Sequence, residues 1–240
     1  MSLTAASRVV IVGGTSGIGL AVAQAAAATG AQVVVGSRSE KSVKQALAVL
    51  PENATGHPVD VTDQASIAAF FDQLGTFDHL AYTAGDDLVR GLISEYDPEQ
   101  AHRFFDVRLF RALDTVRLAL PHMNPAGSIT LTAGAAALHG GAGKLLGSTI
   151  GGAVITAARS LAAELAPIRV NAVAPGIVRT PLWSGLPEQA RPEFFEMAAK
   201  GTLLGRVAEP EDVGQAFVAL MAQDYLTGNL TVVDGGSVLR

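Results

Sequence analysis

The sequence predicts an α/β fold, a doubly wound parallel sheet of about seven strands with helices on both faces. Three observations carry the prediction. Short β-branched runs alternate with helix-like stretches along the whole chain, and parallel pairing is what such long crossover connections permit. The runs are continuously apolar, which fits a sheet covered on both faces. A glycine-rich turn, Gly13-x-x-x-Gly17-x-Gly19, joins the first run to the first helix-like stretch.

The elements follow in order. Val9-Val10-Ile11-Val12 is short and β-branched and predicts a strand over 8–12. Further strands are predicted at 32–36, 55–59, 80–83, 128–132, 169–173 and 230–233. The small-residue stretch after the glycine turn predicts a helix over 18–29, and the remaining helices fall at 40–50, 63–74, 98–120, 148–166 and 210–222. Asp63 and Asp97 are suited to N-caps and Pro98 to a first helical turn. The stretch 182–205, with Trp183, Phe194 and Phe195, interrupts the alternation and reads as an insertion.

No linker, repeat or low-complexity break divides the 240 residues, so 1–240 reads as a single domain. Hydrophobic residues make up 49% and aromatics 5%, which predicts an aliphatic core. A net charge of −5 argues against nucleic acid as a partner. Without cysteine there is neither disulfide nor zinc–thiolate site, and no metal is predicted. The first strand begins too early to leave room for a basic-then-apolar leader, and no apolar run looks long enough to span a bilayer. A soluble cytoplasmic chain is the expectation.

The glycine turn carries the first functional reading. Residues lacking a Cβ let a pyrophosphate lie against backbone at a helix N-terminus, where free N–H groups and the positive dipole end face it. The site is therefore read as one for a dinucleotide. Its identity should be legible after the second strand, where folds that take NAD place a carboxylate for the ribose 2′-hydroxyl. This chain has Gly36-Ser37-Arg38 there, with no acid before Glu40. Arg38 can pair with a 2′-phosphate and Ser37 can donate to it, which favours NADP(H). The bland alternative for Arg38 is a solvated loop side chain.

With Asp60-Val61, Ala84-Gly85, Arg169-Val170-Asn171, Pro175-Gly176 and Val233-Asp234-Gly235-Gly236 following in order, the chain resembles the short-chain dehydrogenase/reductase family from end to end. The resemblance implies a Rossmann fold, an oxidoreductase activity and a mobile substrate-side lid at 182–205. It implies cofactor contacts from Gly13, Thr15, Ser16, Gly17, Ile18 and Gly19 in the first loop, beside Ser37 and Arg38. It also implies Asp60 and Val61 around the adenine, Ala84 and Gly85 near the ribose, Pro175 and Gly176 in a loop, and Thr180 toward the diphosphate or carboxamide. Tyr82 and Thr83 stand where the family usually has two asparagines. For the paired loop residues, plain turn chemistry is the alternative.

The family's catalytic pattern fails in this chain. Hydride chemistry on a carbonyl/alcohol pair needs a proton donor or acceptor, which the family supplies as a tyrosine with a lysine four residues on. Here those slots hold Gly147 and Gly151, the serine slot is Gly134 (Ala133 if the register slips by one), and the asparagine slot is Arg108. The absence does not depend on alignment. Four residues after Tyr82, Tyr96 and Tyr225 come Asp86, Gln100 and Asn229.

Substitutes for the missing groups are Thr132, which shares strand parity with position 134, and His139 and Lys144 in the glycine-rich segment that follows. The competing readings are a sheet residue for Thr132 and water-exposed side chains for the other two. Asp86 and Asp87 stand at the sheet edge where ligands of this fold bind, or are caps or solvated loop charges. Arg108 could hold an anion or a fixed charge, but cannot transfer a proton.

Three functions stay open on these residues. The first is an NADP(H)-dependent oxidoreductase using substitute groups, on an activated substrate that needs little acid/base help. The second is a non-catalytic NADP(H)-binding sensor or structural member of the family. The third is another enzyme class, such as a lyase or isomerase, on the same scaffold. Trp183, Leu186, Phe194 and Phe195 predict an apolar lid and an apolar small-molecule substrate. A homodimer or homotetramer is expected through the helices at 98–120 and 148–166, where Gly151, Gly152, Ala153, Ala157 and Ala158 allow close approach.

Overall fold

A computed structural model describes residues 3–86 and 88–240. The described residues form one seven-stranded, wholly parallel sheet in the order β3-β2-β1-β4-β5-β6-β7. The strands are β1 (Arg8–Val12), β2 (Gln32–Ser37), β3 (Ala54–Pro58), β4 (Phe77–Tyr82), β5 (Met123–Thr132), β6 (Arg169–Pro175) and β7 (Leu230–Val233). Every predicted strand is present. Strand order reverses between β1 and β4, so their C-terminal ends flank the crevice where open α/β sheets take ligands.

The helices are α1 (Gly17–Ala28), α2 (Glu40–Leu47), α3 (Gln64–Leu74), α4 (Pro98–Phe105), α5 (Arg111–Ala119), α6 (Leu145–Glu164), α7 (Arg191–Lys200) and α8 (Pro210–Ala222). One aliphatic layer joins α1 and α8 to the sheet through Val22, Ala26, Val213 and Phe217 against Val9, Ile11 and Val33. The other seats Phe70, Phe71, Val116, Val154 and Ala158 against Val10, Leu80 and Ile129. Each large side chain so enclosed stabilises the fold by about 1.5–3 kcal/mol. Asp63 and Asp97 cap α3 and α4, and Pro98 opens α4.

The helix expected over 98–120 is not continuous. A π-helical turn, Asp106–Phe110, separates α4 from α5, and a 3₁₀ turn follows at Leu120–His122. Periodicity alone does not show a one-residue widening of the helical ladder. β5 starts five residues earlier than expected, because its register against β4 shifts between Phe77 and His79 and takes up irregular residues. α2 ends at Leu47 rather than at 50.

The expectation about bilayer-length segments needs correction as well. α6, 20 residues long, is long and apolar enough by length and composition to cross a membrane. One face of it, through Val154, Ala158 and Ala162, belongs to the core beneath the sheet. Gly151 and Ala158 of the small-residue stripe are buried within the chain, while Gly152, Ala153 and Ala157 are half-buried.

Arg169 and Asn171 do structural work. The Arg169 guanidinium donates to the carbonyls of Leu220 (2.8 Å) and Met221 (2.9 Å) at the end of α8. Asn171 donates to Leu226 O at 2.9 Å and accepts from Asn229 N at 3.0 Å. These bonds satisfy otherwise orphaned helix-end and loop groups, as buried backbone requires.

Candidate active site

The C-terminal strand ends and their loops enclose a cavity of about 820 Å³. At one end lies the first glycine turn. Gly13 has φ +89°, and a Cβ there would sit 2.5 Å from Ala84 N, while one on Gly19 would sit 2.1 Å from Gly13 O. Both glycines are therefore demanded by backbone packing of the turn against β4 and itself, and only Gly17 opens toward Thr180. Ser39, Asp63 and Asp97 cap the helices they precede, whereas no side chain caps α1 and no acid occupies its first turn. Its first amides thus face the cavity without an internal partner.

Thr15, Ser16 and Ile18 line this end beside Gly13, Gly17 and Gly19. Ser37 and Arg38 close it from β2, with Arg38 exposed. Asp60 and Val61 line it from the loop after β3. The Asp60 carboxylate accepts from the Thr62 hydroxyl (2.7 Å) and amide (2.9 Å). Those bonds, with a smaller contribution from Arg38, hold its pKa below the usual aspartate value against the opposing effect of burial. Ala84, Gly85, Pro175, Gly176 and Thr180 also line the cavity. All fifteen residues expected at a dinucleotide therefore face one continuous space.

The four residues expected at the tetrad slots, Arg108, Gly134, Gly147 and Gly151, all line the same space. A Cβ on Gly134 or Gly147 would meet nothing within 4 Å, whereas one on Gly151 would lie 3.0 Å from the Ala137 Cβ and 3.1 Å from Gly134 O. Arg108 is not a free anion holder. It binds both the carboxylate and the carbonyl of Asp86, and its guanidinium lies 4.3 Å from the centroid of Phe104. Asp86 is thereby an ion-pair partner rather than a cap or a solvated charge. Asp87 lies outside the described residues.

Of the substitutes, Thr132 donates its hydroxyl to Tyr82 O at 2.7 Å, which makes it a strand lock. Lys144 Nζ lies 3.3 Å from His139 Nε2, with Lys144 half-buried and His139 exposed. Both line the cavity. Tyr82, the one tyrosine of three that lines it, donates to Val107 O at 2.6 Å.

Of the four side chains expected to form an apolar lid, Trp183 alone lines the cavity. Trp183, fixed by its indole N–H to Val178 O at 2.9 Å, lines the cavity together with Leu182. Leu186, Phe194 and Phe195 do not; they pack with Trp183 and Val207 into a small separate core. Arg90, six residues beyond Ala84, is a lining side chain that the sequence reading passed over. Its place in the loop after β4, at the sheet's ligand edge, was the available signal.

A Rossmann-type α/β chain with one cleft over its switch point is thus defined, and comparison with known proteins places it more narrowly. A family model described as enoyl-(acyl carrier protein) reductase matches residues 12–237. The short-chain dehydrogenase/reductase ucsE of an Acremonium species is 32% identical, over 96% of this chain and 95% of that protein. Among solved structures, the MalC reductase/Diels-Alderase of Malbranchea aurantiaca superposes with a TM-score of 0.90 at 28% identity, covering 99% of this chain and 98% of that one. A small-chain dehydrogenase in complex with NADPH superposes at 0.83 and 28% identity, covering 98% and 99%. The chain belongs to the short-chain dehydrogenase/reductase family, a family of oxidoreductases.

Proposed function

We propose that this chain is an NADP(H)-binding oxidoreductase that works without the family's acid/base tetrad, on an activated acceptor that needs little proton help. The observation that carries the reading is one cavity joining the uncapped α1 N-terminus and Arg38 to the four tetrad slots. The fit to a dinucleotide is good: α1 offers backbone donors for a diphosphate, Asp60 an ionised carboxylate for the adenosine side, and Arg38 a cation for a 2′-phosphate. The NADPH complex of a structural neighbour supports the choice of nucleotide. When bound, the nicotinamide ring supplies or accepts a hydride. The chain's own residues orient it and exclude water, with Trp183 and Leu182 closing the apolar side. Calorimetric titration with NADPH and NADH tests the reading. NADPH should bind at least tenfold more tightly, and equal affinities would reduce Arg38 to a solvated side chain.

A second reading, a non-catalytic NADP(H)-binding member, draws on glycine at three tetrad slots and on the committed hydroxyls of Tyr82 and Thr132. Steady-state turnover of NADPH with a panel of carbonyls separates the two. A relative whose name couples reductase with Diels-Alderase supports keeping a third assay, for product formation without any change in cofactor absorbance. We also read the chain as a homodimer or homotetramer. Phe110, half-exposed on the π turn, and the open faces of α5 and α6 support this, and light scattering at micromolar concentration tests it.

A further inference from the structure

Among the described residues that line the cavity, cations outnumber carboxylates. Among the described lining residues, Arg38, Arg90, Arg108 and Lys144 are cations and Asp60 and Asp86 are carboxylates. Asp86 is bound to Arg108, and Asp60 lies within the field of Arg38. Arg90 and Lys144 are left over. The Arg90 guanidinium hangs 5.9 Å from the Phe194 ring centroid, near the outer limit of a cation–π contact. Lys144 rests on the His139 imidazole, which can accept from it only while neutral. Neither cation has a carboxylate partner among the described residues. Glu95, the nearby acid, accepts from the Leu92 amide at 3.1 Å and does not line the cavity.

The two cations are held together by backbone. Gly91 N donates to Gly143 O at 3.4 Å, so Arg90 and Lys144 each stand one residue from the bond that joins the loops after β4 and β5. The Arg38 end lies over β2, three strand positions from β5, or about 14 Å away. The α1 N-terminus, which would take the diphosphate, follows β1, two positions from β5. With the diphosphate assigned to α1 and the 2′-phosphate to Arg38, this pair of cations is left unaccounted for.

We propose that Arg90 and Lys144 form a carboxylate-binding mouth, and that the substrate is an amphiphile: an apolar body bearing the reacting carbon and one carboxylate. The body lies along Phe104, Val107, Ile150 and Val154, with room provided by the bare Gly134 and Gly147. Arg90 pairs with the carboxylate through its planar fork, and Lys144 supplies a second charge-assisted donor. The reacting carbon rests on the oxidoreductase reading; the anion site does not.

The test is calorimetric titration of the intact protein with benzoylformate and with its neutral methyl ester, with and without NADPH. Quenching of Trp183, the only tryptophan and a lining residue, gives a second readout. The acid should bind at least tenfold more tightly than the ester, and rising salt should erode that difference. Arg90→Gln and Lys144→Gln should each cut acid affinity about tenfold or more, leaving ester binding, NADPH affinity and the thermal midpoint unchanged, while Lys144→Arg should retain most of it. Equal affinities for acid and ester, a preference that survives both variants, or no binding of the acid would overturn the proposal. Failure of NADPH to bind would instead remove the dinucleotide reading, and the acid–ester difference would still judge the mouth.

Discussion

Tyr82 gives its phenolic hydrogen to the main-chain carbonyl of Val107 at 2.6 Å, tying the end of β4 to the π turn between α4 and α5. Burial, the largest influence on this hydroxyl, pushes its pKa well above the ordinary tyrosine value. The one tyrosine in the cavity is therefore a structural tie, poorly suited to acid/base work. Tyr82→Phe should cost about 1 kcal/mol, lowering the thermal midpoint by about 2–4 °C, and should leave NADPH affinity and any reductase rate within about twofold. Loss of turnover with intact NADPH binding would show that Tyr82 is the missing proton donor.

Ordinary ketones and aldehydes should be reduced very slowly. A positioned acid/base group contributes about 10²–10⁴-fold and an orienting donor about 10²–10³-fold, and groups that act as a unit are not additive. A kcat near 10 s⁻¹ on a simple carbonyl would mean that an unrecognised acid/base group exists. Partial restoration is sterically feasible, because Gly134→Ser and Gly147→Tyr project into open space. That double variant should fold with an unchanged or raised midpoint, since glycine inside a helix costs about 0.5–1 kcal/mol. Adding Gly151→Lys should lower the midpoint, because its Cβ would press on Ala137 and on the Gly134 carbonyl.

Arg38→Asp should weaken NADPH about ten- to a hundredfold and leave NADH equal or favoured. The change removes a charge-assisted contact worth roughly 1.5–3 kcal/mol and adds repulsion. Calorimetry on both cofactors reads the outcome directly, and an unchanged NADPH affinity would place the 2′-phosphate elsewhere.

Stability should fall on acidification in a window set by His79. Desolvation by burial in the sheet lowers its pKa from 6.5 to about 4, and Ser128 Oγ lies 2.8 Å from its Nδ1. The unfolded chain binds the proton first, so between these values it carries more protons and folding weakens as pH falls. The loss should approach about 2–3 kcal/mol between pH 7 and 4, and His79→Gln should reduce it in urea titrations across that range. Asp212, whose pKa falls to about 2 through its bond to Arg206, responds only at lower pH and so does not confuse the window.

Most of the framework was legible because it depends on local period and on turn chemistry. Continuous β-branched runs such as Val9–Val12 can bury themselves only inside a covered sheet, and Asp63, Asp97 and Pro98 mark helix starts within a few residues of chain. The π turn at Asp106–Phe110 and the long irregular start of β5 escaped, since neither changes the apolar period that sequence reading relies on.

The sequence by itself determined which groups are available: glycine at 134, 147 and 151, three positions expected to be tetrad slots, no tyrosine followed four residues later by lysine, and arginine rather than an acid after β2. Only the tertiary structure decided how the available groups are spent. Arg108 could be read as an anion holder until Asp86 was found bound to it, and Thr132 as a proton donor until Tyr82 O took its hydrogen. Leu186, Phe194 and Phe195 were expected in an apolar lid but pack around Trp183. The reason is physical: a side chain's chemistry is local to its residue, whereas its partners are contributed by segments tens of residues away, brought together by the sheet order.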